Sequence, residues 1–223
     1  MRTANIIHLS DIHFDNSENM NDLLDKLKMD LLEMKKELEE FHIMIISGDC
    51  IDKGRVELYP EFRKKLDKIL KECDISKKKV IIAIGNHDTS LETGYLELVR
   101  NSILDGKMDK DSAMDAAQEQ YAAIYQDYNN FDRNYLTTQD GSDIVEVTIK
   151  YKKKSPIMRI RFVVLNSSWS TTIHNKYGEL VIGDKQLENI KKKLNTFKKK
   201  CDYVILCMHH PLDWFKYEER EKI

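Results

Sequence analysis

The sequence predicts a layered α/β fold, on three observations. Short runs rich in Ile and Val recur along the chain. Stretches with apolar residues at helical spacing separate them. Polar residues of the kind that bind ligands come directly after each run. Runs of four to six apolar residues are too short for helices and read as strands buried on both faces, and strands that alternate with amphipathic helices stack into α/β layers.

Taken in order, the strands are Ile6 to Leu9, Ile43 to Ile46, Val80 to Ile84, Ile160 to Leu165 and Tyr203 to Met208. Between the first two, Leu23, Leu24, Leu27, Leu31, Leu38 and Phe41 recur at helical spacing; Leu58, Phe62, Leu66, Ile69 and Leu70 do so before the third. Leu187, Ile190, Leu194 and Phe197 form a further helical set, with Asp184 as its N-cap. Residues from about 90 to 140 break this rhythm and read as a helical insertion, with Tyr121, Ile124, Tyr125, Tyr128 and Phe131 on one face. Such a stripe packs a core or caps a substrate cleft. Ile144 to Ile149 alternate, and with a turn through Lys152 to Pro156 they pair with Ile157 to Leu165 as a hairpin, giving a second sheet.

The 223 residues suit one domain, residues 1–223, insertion included. With 36 Lys and Arg against 38 Asp and Glu, net charge gives no case for a polyanionic partner or a membrane surface. The lysine runs (152–154, 191–193, 198–200) read as solvated faces. Cys50, Cys73, Cys201 and Cys207 include no C-x-x-C, which points to reduced thiols and a cytoplasmic protein. No leader-like apolar segment precedes the first strand, and no apolar run approaches the ~18 residues of a membrane span.

The chemistry lies just past the strand ends: Ser10-Asp11-Ile12-His13, Ser47-Gly48-Asp49-Cys50-Ile51-Asp52, Gly85-Asn86-His87-Asp88, Asn166-Ser167 and His209-His210-Pro211. Sites in α/β sheets form at the carboxyl ends of strands, so these groups converge. Oxygen and imidazole donors suit two divalent ions among Mn, Fe, Zn or Co, with Mn favoured. Asp-x-His can reach one metal, Asp49 can bridge two, and Asn86 adds a neutral oxygen. Two cations ~3.5–4 Å apart would acidify a water and clamp a phosphate. Each motif alone has a plainer reading, as a turn or a strand end. His8 is read as structural, His42 as surface, and His174 is left open.

In combination and order, these motifs resemble the calcineurin-like metallophosphoesterase superfamily. Its pattern of D-x-H, G-D-x-x-D, G-N-H-[DE] and a histidine before a proline turn is matched across residues 5–215. The resemblance implies a four-layer α/β/β/α sandwich and hydrolysis of a phosphate-ester substrate by a metal-bridging hydroxide. It implies that Asp11 and His13 hold one metal, that Asp49 bridges, and that Asn86 and His209 hold the other, His209 being preferred to His210 for its spacing to Pro211. His87 would contact the phosphate and protonate the leaving oxygen, Asp88 would orient the His87 ring, and Asp52 would brace the site. Lys53 and Asp88 depart from the protein-phosphatase form of the motifs. That favours a phosphodiesterase for nucleotides or small molecules, with a DNA or RNA nuclease as the alternative and a non-catalytic protein-binding scaffold as a further one. Oligomeric state is left open. The family's closing G-H-x-H is missing among the seven histidines. The domain is therefore expected to be incomplete at its C-terminus, with a further strand and histidines to come. Leu212 to Ile223 is expected as a helix.

Overall fold

A computed structural model describes residues 3–88, 101–102, 105–109, 112, 125–132, 135, 143–150, 157–171 and 177–223. Most of the expected 90–140 insertion, including Tyr121 and Ile124, lies outside these residues, as do His174 and the expected turn through Lys152 to Pro156.

The described chain is a mixed α/β structure with two three-stranded sheets. In the first, β1 (Ile6–Leu9), β2 (Ile43–Ser47) and β3 (Val80–Ala83) run parallel in that order. Parallel neighbours need crossovers, and helices supply them: α1 (Glu18–Leu38), capped by the Ser17 side chain, and α2 (Tyr59–Glu72), with Pro60 in its first turn. In the second sheet, β4 (Asp143–Ile149) pairs antiparallel with β5 (Met158–Val164), and β6 (Tyr203–Cys207) lies parallel on β5's other side. The crossover from β5 to β6 carries α4 (Asp184–Leu194), after the short α3 (Gln126–Asp132) earlier in the chain. Asp184, expected as the cap, is the first helical residue, with Gly183 before it.

Strand periodicity sorts the core. From β2, Met44 and Ile46 join the helices in one cluster with Leu24, Leu31, Phe62 and Leu66, while Ile43 and Ile45 join Ile160, Phe162 and Val164 of β5 in a second. A third cluster sets Val163 and Leu165 against Leu187 and Ile190 of α4. The described part of the aromatic stripe belongs to the first: Tyr125, Tyr128 and Phe131 are buried, and Phe131 stacks on Tyr59 at 4.8 Å. These three rings pack the core and do not line the main cavity.

Two further expectations change. His42 is buried, with its Nδ1 accepting the Asn5 N–H at 3.1 Å. Residues 212–223 form not one helix but a 3₁₀ turn, a bridge from Phe215 to Leu180, and the four-residue α5 (Tyr217–Arg220). The cause is tertiary. The buried Glu219 carboxylate accepts the Ile182 and Gly183 N–H groups, and Arg220 donates to the Phe215 and Asp213 carbonyls. No helix among the described residues is long and apolar enough to cross a membrane.

Candidate metal centre

The parallel pairing of β1, β2 and β3 brings three loops to one edge, and the end of β6 faces them. The first two loops are zipped together: Asp11 N–H donates to the Gly48 carbonyl, His13 N–H to Asp49 and Phe14 N–H to Cys50. Asp11, His13 and Asp49 have φ of 53°, 48° and 54°, in the left-handed region that non-glycine residues enter seldom, Asp and His more readily than most. Strain of this kind persists where the surroundings enforce it, and it gathers at sites. Here it falls on three of the expected ligands.

Two glycines make room. Gly48 has a φ of 97°, and a Cβ there would stand 2.7 Å from His209 Nδ1 and 2.8 Å from the Gly85 Cα. A Cβ on Gly85 would land on the carboxylate and backbone nitrogen of Asp49.

Asp49 occupies the middle. It is 3% exposed. Its Oδ1 accepts the His87 N–H at 2.8 Å. Its Oδ2 lies 3.7 Å from His13 Nε2 and 3.4 Å from His209 Nε2. Burial opposes ionisation of Asp49, yet the His209 ring and the His87 N–H outweigh burial and hold its carboxyl below the usual value. Donor atoms of Asp49 come together with those of His13 and His87 and also with those of Asp11 and His209, and Asp11 Oδ1 is 3.9 Å from His13 Nε2 as well, so Asp49 is common to all of these neighbours.

His209 carries the clearest sign of a cation. Its Nδ1 donates to the Ser47 carbonyl at 2.8 Å, which leaves a lone pair on Nε2. That lone pair meets Asn86 Oδ1 at 3.1 Å and Asp49 Oδ2. Three acceptor atoms facing one another need a proton or a metal ion between them. Burial disfavours a charged His209, but the Asp49 hydrogen bond and charge prevail and raise its pKa. A cation would displace that proton. The donor set therefore fits divalent metal ions: Asp49, Asn86 and His209 would hold one, and Asp11, His13 and Asp49 another. The thiol of Cys50, pushed well above its usual pKa by burial, is no competitor.

The other expected residues surround this cluster. His87 rests edge-on against His13, with 4.6 Å between ring centroids. Its Nδ1 accepts the Lys53 N–H at 3.0 Å, so the ring proton is on Nε2. Asp52 Oδ1 is 3.8 Å from the Nδ1 atoms of both His13 and His87. Asp88 does not meet the His87 ring. Its buried carboxylate accepts N–H groups from Cys50 (2.8 Å), Ile51 (3.4 Å) and Gly85 (2.8 Å), together with the Tyr59 hydroxyl (3.1 Å). Burial, then the charge of Asp49, raises its pKa to about 7, against the pull of those donors. Asp88 ties the loop bearing Asp49 to the loop bearing Asn86; the Lys53 backbone is what fixes His87.

Several participants carried no sequence signal. The Ser47 carbonyl, the Lys53 amide and Tyr59 act through backbone or distant contacts. Asn166 braces the loop through Gln186 rather than joining the site. Ser167 bonds His210, whose ring also lines the cavity and whose pKa burial, together with the His209 charge, lowers to about 3. His8 bonds Ser47 Oγ at 2.8 Å and forms part of the cavity wall.

The cavity has a volume of about 890 Å³. One end holds the polar cluster, and its walls continue over Ile45, Ile205, Met208, Leu212 and Trp214. Among the described residues no Lys or Arg lines it. Lys191–Lys193 occupy the last turn of α4 and Lys198–Lys200 lead into the start of β6, the end opposite His209.

A sequence-family model described as calcineurin-like phosphoesterase matches residues 4–223. The chain is 23% identical over 224 residues to a Bacillus subtilis (strain 168) protein named "Uncharacterized metallophosphoesterase-like protein YydB"; the match covers 97% of this chain and 44% of that protein, so the chain spans less than half of its relative's length. A family match along almost the whole chain, over a site whose donors call for divalent cations, shows that the chain belongs to the calcineurin-like phosphoesterase family.

Proposed function

We propose that this chain is the catalytic part of a hydrolase that cleaves phosphate esters, phosphodiesters foremost, with two divalent cations, manganese favoured, on either side of Asp49. The observation that carries the reading is Asp49 Oδ2 standing between the Nε2 atoms of His13 and His209. When bound, the cations supply an acidified water and neutralise phosphoryl oxygens. The chain's own groups do the rest. Asp49 is aimed by the His87 N–H, and His209 by the Ser47 carbonyl. His87, with Nδ1 occupied by Lys53, presents Nε2–H to a leaving oxygen. A diester, with one negative charge, suits a cavity that no Lys or Arg among the described residues lines better than a dianionic monoester does. Lys198–Lys200 precede the start of β6, the end opposite His209, which favours a nucleotide or small-molecule ester over a polynucleotide. Free cysteines suit a reducing, cytoplasmic setting.

The test is hydrolysis of bis(p-nitrophenyl) phosphate and p-nitrophenyl phosphate with added Mn²⁺, by the wild type and Asp49→Asn. Metal-dependent turnover of the diester, lost in Asp49→Asn, is expected. Turnover that survives EDTA or the substitution would sink the reading.

A second observation favours a larger catalytic unit. On β6, Tyr203 and Val204 are 57% and 60% exposed, and among the described residues β6 pairs only with β5. An open apolar edge of this kind is usually covered. We propose that further polypeptide pairs there and adds ligands to both cations. Two tightly held metals in residues 1–223 alone, measured by elemental analysis after dialysis, would overturn this.

A further inference from the structure

One more polar group in the cavity is fixed as firmly as His87. His210 is 4% exposed and yet lines the cavity. His209 stands edge-on to it, with 4.7 Å between centroids, and Trp214 lies at 5.5 Å. On its third side is Ser167, whose Oγ is 3.0 Å from the His210 backbone nitrogen and 3.1 Å from Nδ1. The Ser167 hydroxyl accepts the backbone N–H and keeps a proton that it can give to Nδ1. A ring whose Nδ1 accepts carries its proton on Nε2. Nε2 is not among the buried, unpartnered atoms of the described residues, and the ring's described bond is to Ser167; Nε2 therefore opens on the cavity.

The arrangement repeats that of His87. Each histidine placed as a metal ligand has a second imidazole edge-on to it, His87 on His13 and His210 on His209. Each outer ring has its Nδ1 engaged by the protein: the Lys53 amide donates to that of His87, and the Ser167 hydroxyl lies 3.1 Å from that of His210. The surroundings differ. Past His210 the wall is Met208, Pro211, Leu212 and Trp214, with Leu212 47% exposed, and it carries no charge to meet a second phosphate anion.

We propose that His210 is a second hydrogen-bond donor to the substrate, giving Nε2–H to the ester oxygen that stays on phosphorus, with the organic group on that oxygen lying over Leu212 and Trp214. The substrate class is then a phosphodiester whose retained group is apolar or aromatic. Inorganic phosphate has neither the ester oxygen nor the organic group to place there. The inference rests on the phosphoester reading above and narrows it.

Binding tests it without turnover. Diphenyl phosphate and inorganic phosphate are titrated calorimetrically into Zn²⁺-loaded wild type, His210→Phe and His210→Gln, with metal content checked in each. His210→Phe, which keeps a ring but no donor, is expected to bind diphenyl phosphate about tenfold more weakly, the worth of one good hydrogen bond. Inorganic phosphate affinity stays within about twofold, and His210→Gln, whose amide can donate, recovers most of the loss. Independently, ¹⁵N imidazole spectra of the wild type, with His210 identified by its absence in His210→Gln, are expected to show the Nε2–H tautomer. Equal losses for both ligands make His210 a support for His209 and overturn the proposal, as does an Nδ1–H tautomer. Wild type that binds neither ligand overturns the phosphoester reading itself, and this proposal with it.

Discussion

The two sides of Asp49 are built to different standards. On the His209 side the His209 and Asp49 side chains are 8% and 4% exposed, with Asn86 half-buried beside them. His209 has both ring nitrogens engaged, by the Ser47 carbonyl and by Asn86. On the other side the Asp11 and His13 side chains are 57% and 35% exposed, and His13 Nδ1 is buried without a hydrogen-bond partner. One half is assembled by the protein alone. The other is held by strained backbone at Asp11 and His13 and leaves its side chains to be ordered by what binds. A pocket with fixed, desolvated donors loses less ordering entropy on binding, so the His209 half is expected to take up metal more tightly.

The largest effect should erase the difference. Asp49 serves both halves, so Asp49→Asn is expected to remove both metals and reduce hydrolysis to background. Gly85→Ala should do nearly the same without touching a ligand, because its Cβ lands on the Asp49 carboxylate; overpacking there adds about 1–3 kcal/mol of destabilisation. Elemental analysis after dialysis checks both, and normal metal content in Gly85→Ala would show that the cradle is slack.

Next come changes confined to the exposed half. His87→Ala is expected to keep its metals and to lose ~10²–10⁴ in kcat on esters with poor leaving groups, the usual range for a lost general acid. Nitrophenyl esters, whose leaving group needs no proton, should be affected far less. Equal losses on both would remove His87 as the proton donor. Asp52 is a gentler probe. If His13 offers Nε2 to a metal, its proton sits on Nδ1, and the Asp52 carboxylate is 3.8 Å away. Asp52→Asn is expected to weaken one metal by about 10–100-fold, as outer-sphere carboxylates commonly do. Calorimetric titration should show the other metal unchanged; a loss at both would deny the division into halves.

The sequence made the strands, the crossover helices and most of the ligand set legible, because each leaves a periodic or motif-level trace. Ile43 and Met44 go to opposite clusters as alternation demands. What it hid falls into two kinds. Backbone groups carry no signature, so the Ser47 carbonyl, the Lys53 amide and the Gly85 cradle emerge only when distant loops meet. Adjacency also misleads. Asp88 stands next to His87, which suggests that it orients that ring, but consecutive residues in a helical turn do not face each other, and Asp88 points inward to three backbone amides. Likewise the pattern at 212–223 favours a helix locally, and the capture of Glu219 by Ile182 and Gly183 overrides it.

The smallest effect is the most direct measure of the contrast, since it needs no metal. In EDTA, His209→Asn deprives the Ser47 carbonyl of its partner within a buried half, and leaving such a group unpaired costs about 1–3 kcal/mol. His13→Asn meets none of these penalties. Asparagine tolerates the left-handed φ of 48°. The ring it removes is a third exposed and has an unpartnered Nδ1. Its expected change in stability is within about 0.5 kcal/mol, the ordinary range for a surface substitution. Urea unfolding of the two variants beside wild type separates these outcomes. Adding cations should then widen the gap between wild type and both variants, because a ligand that binds only the folded state stabilises it by RT ln(1 + [L]/Kd) and each variant has lost a donor. If His13→Asn destabilises the metal-free protein as much as His209→Asn does, then His13 is held by the fold as firmly as His209, and the two halves differ in exposure only.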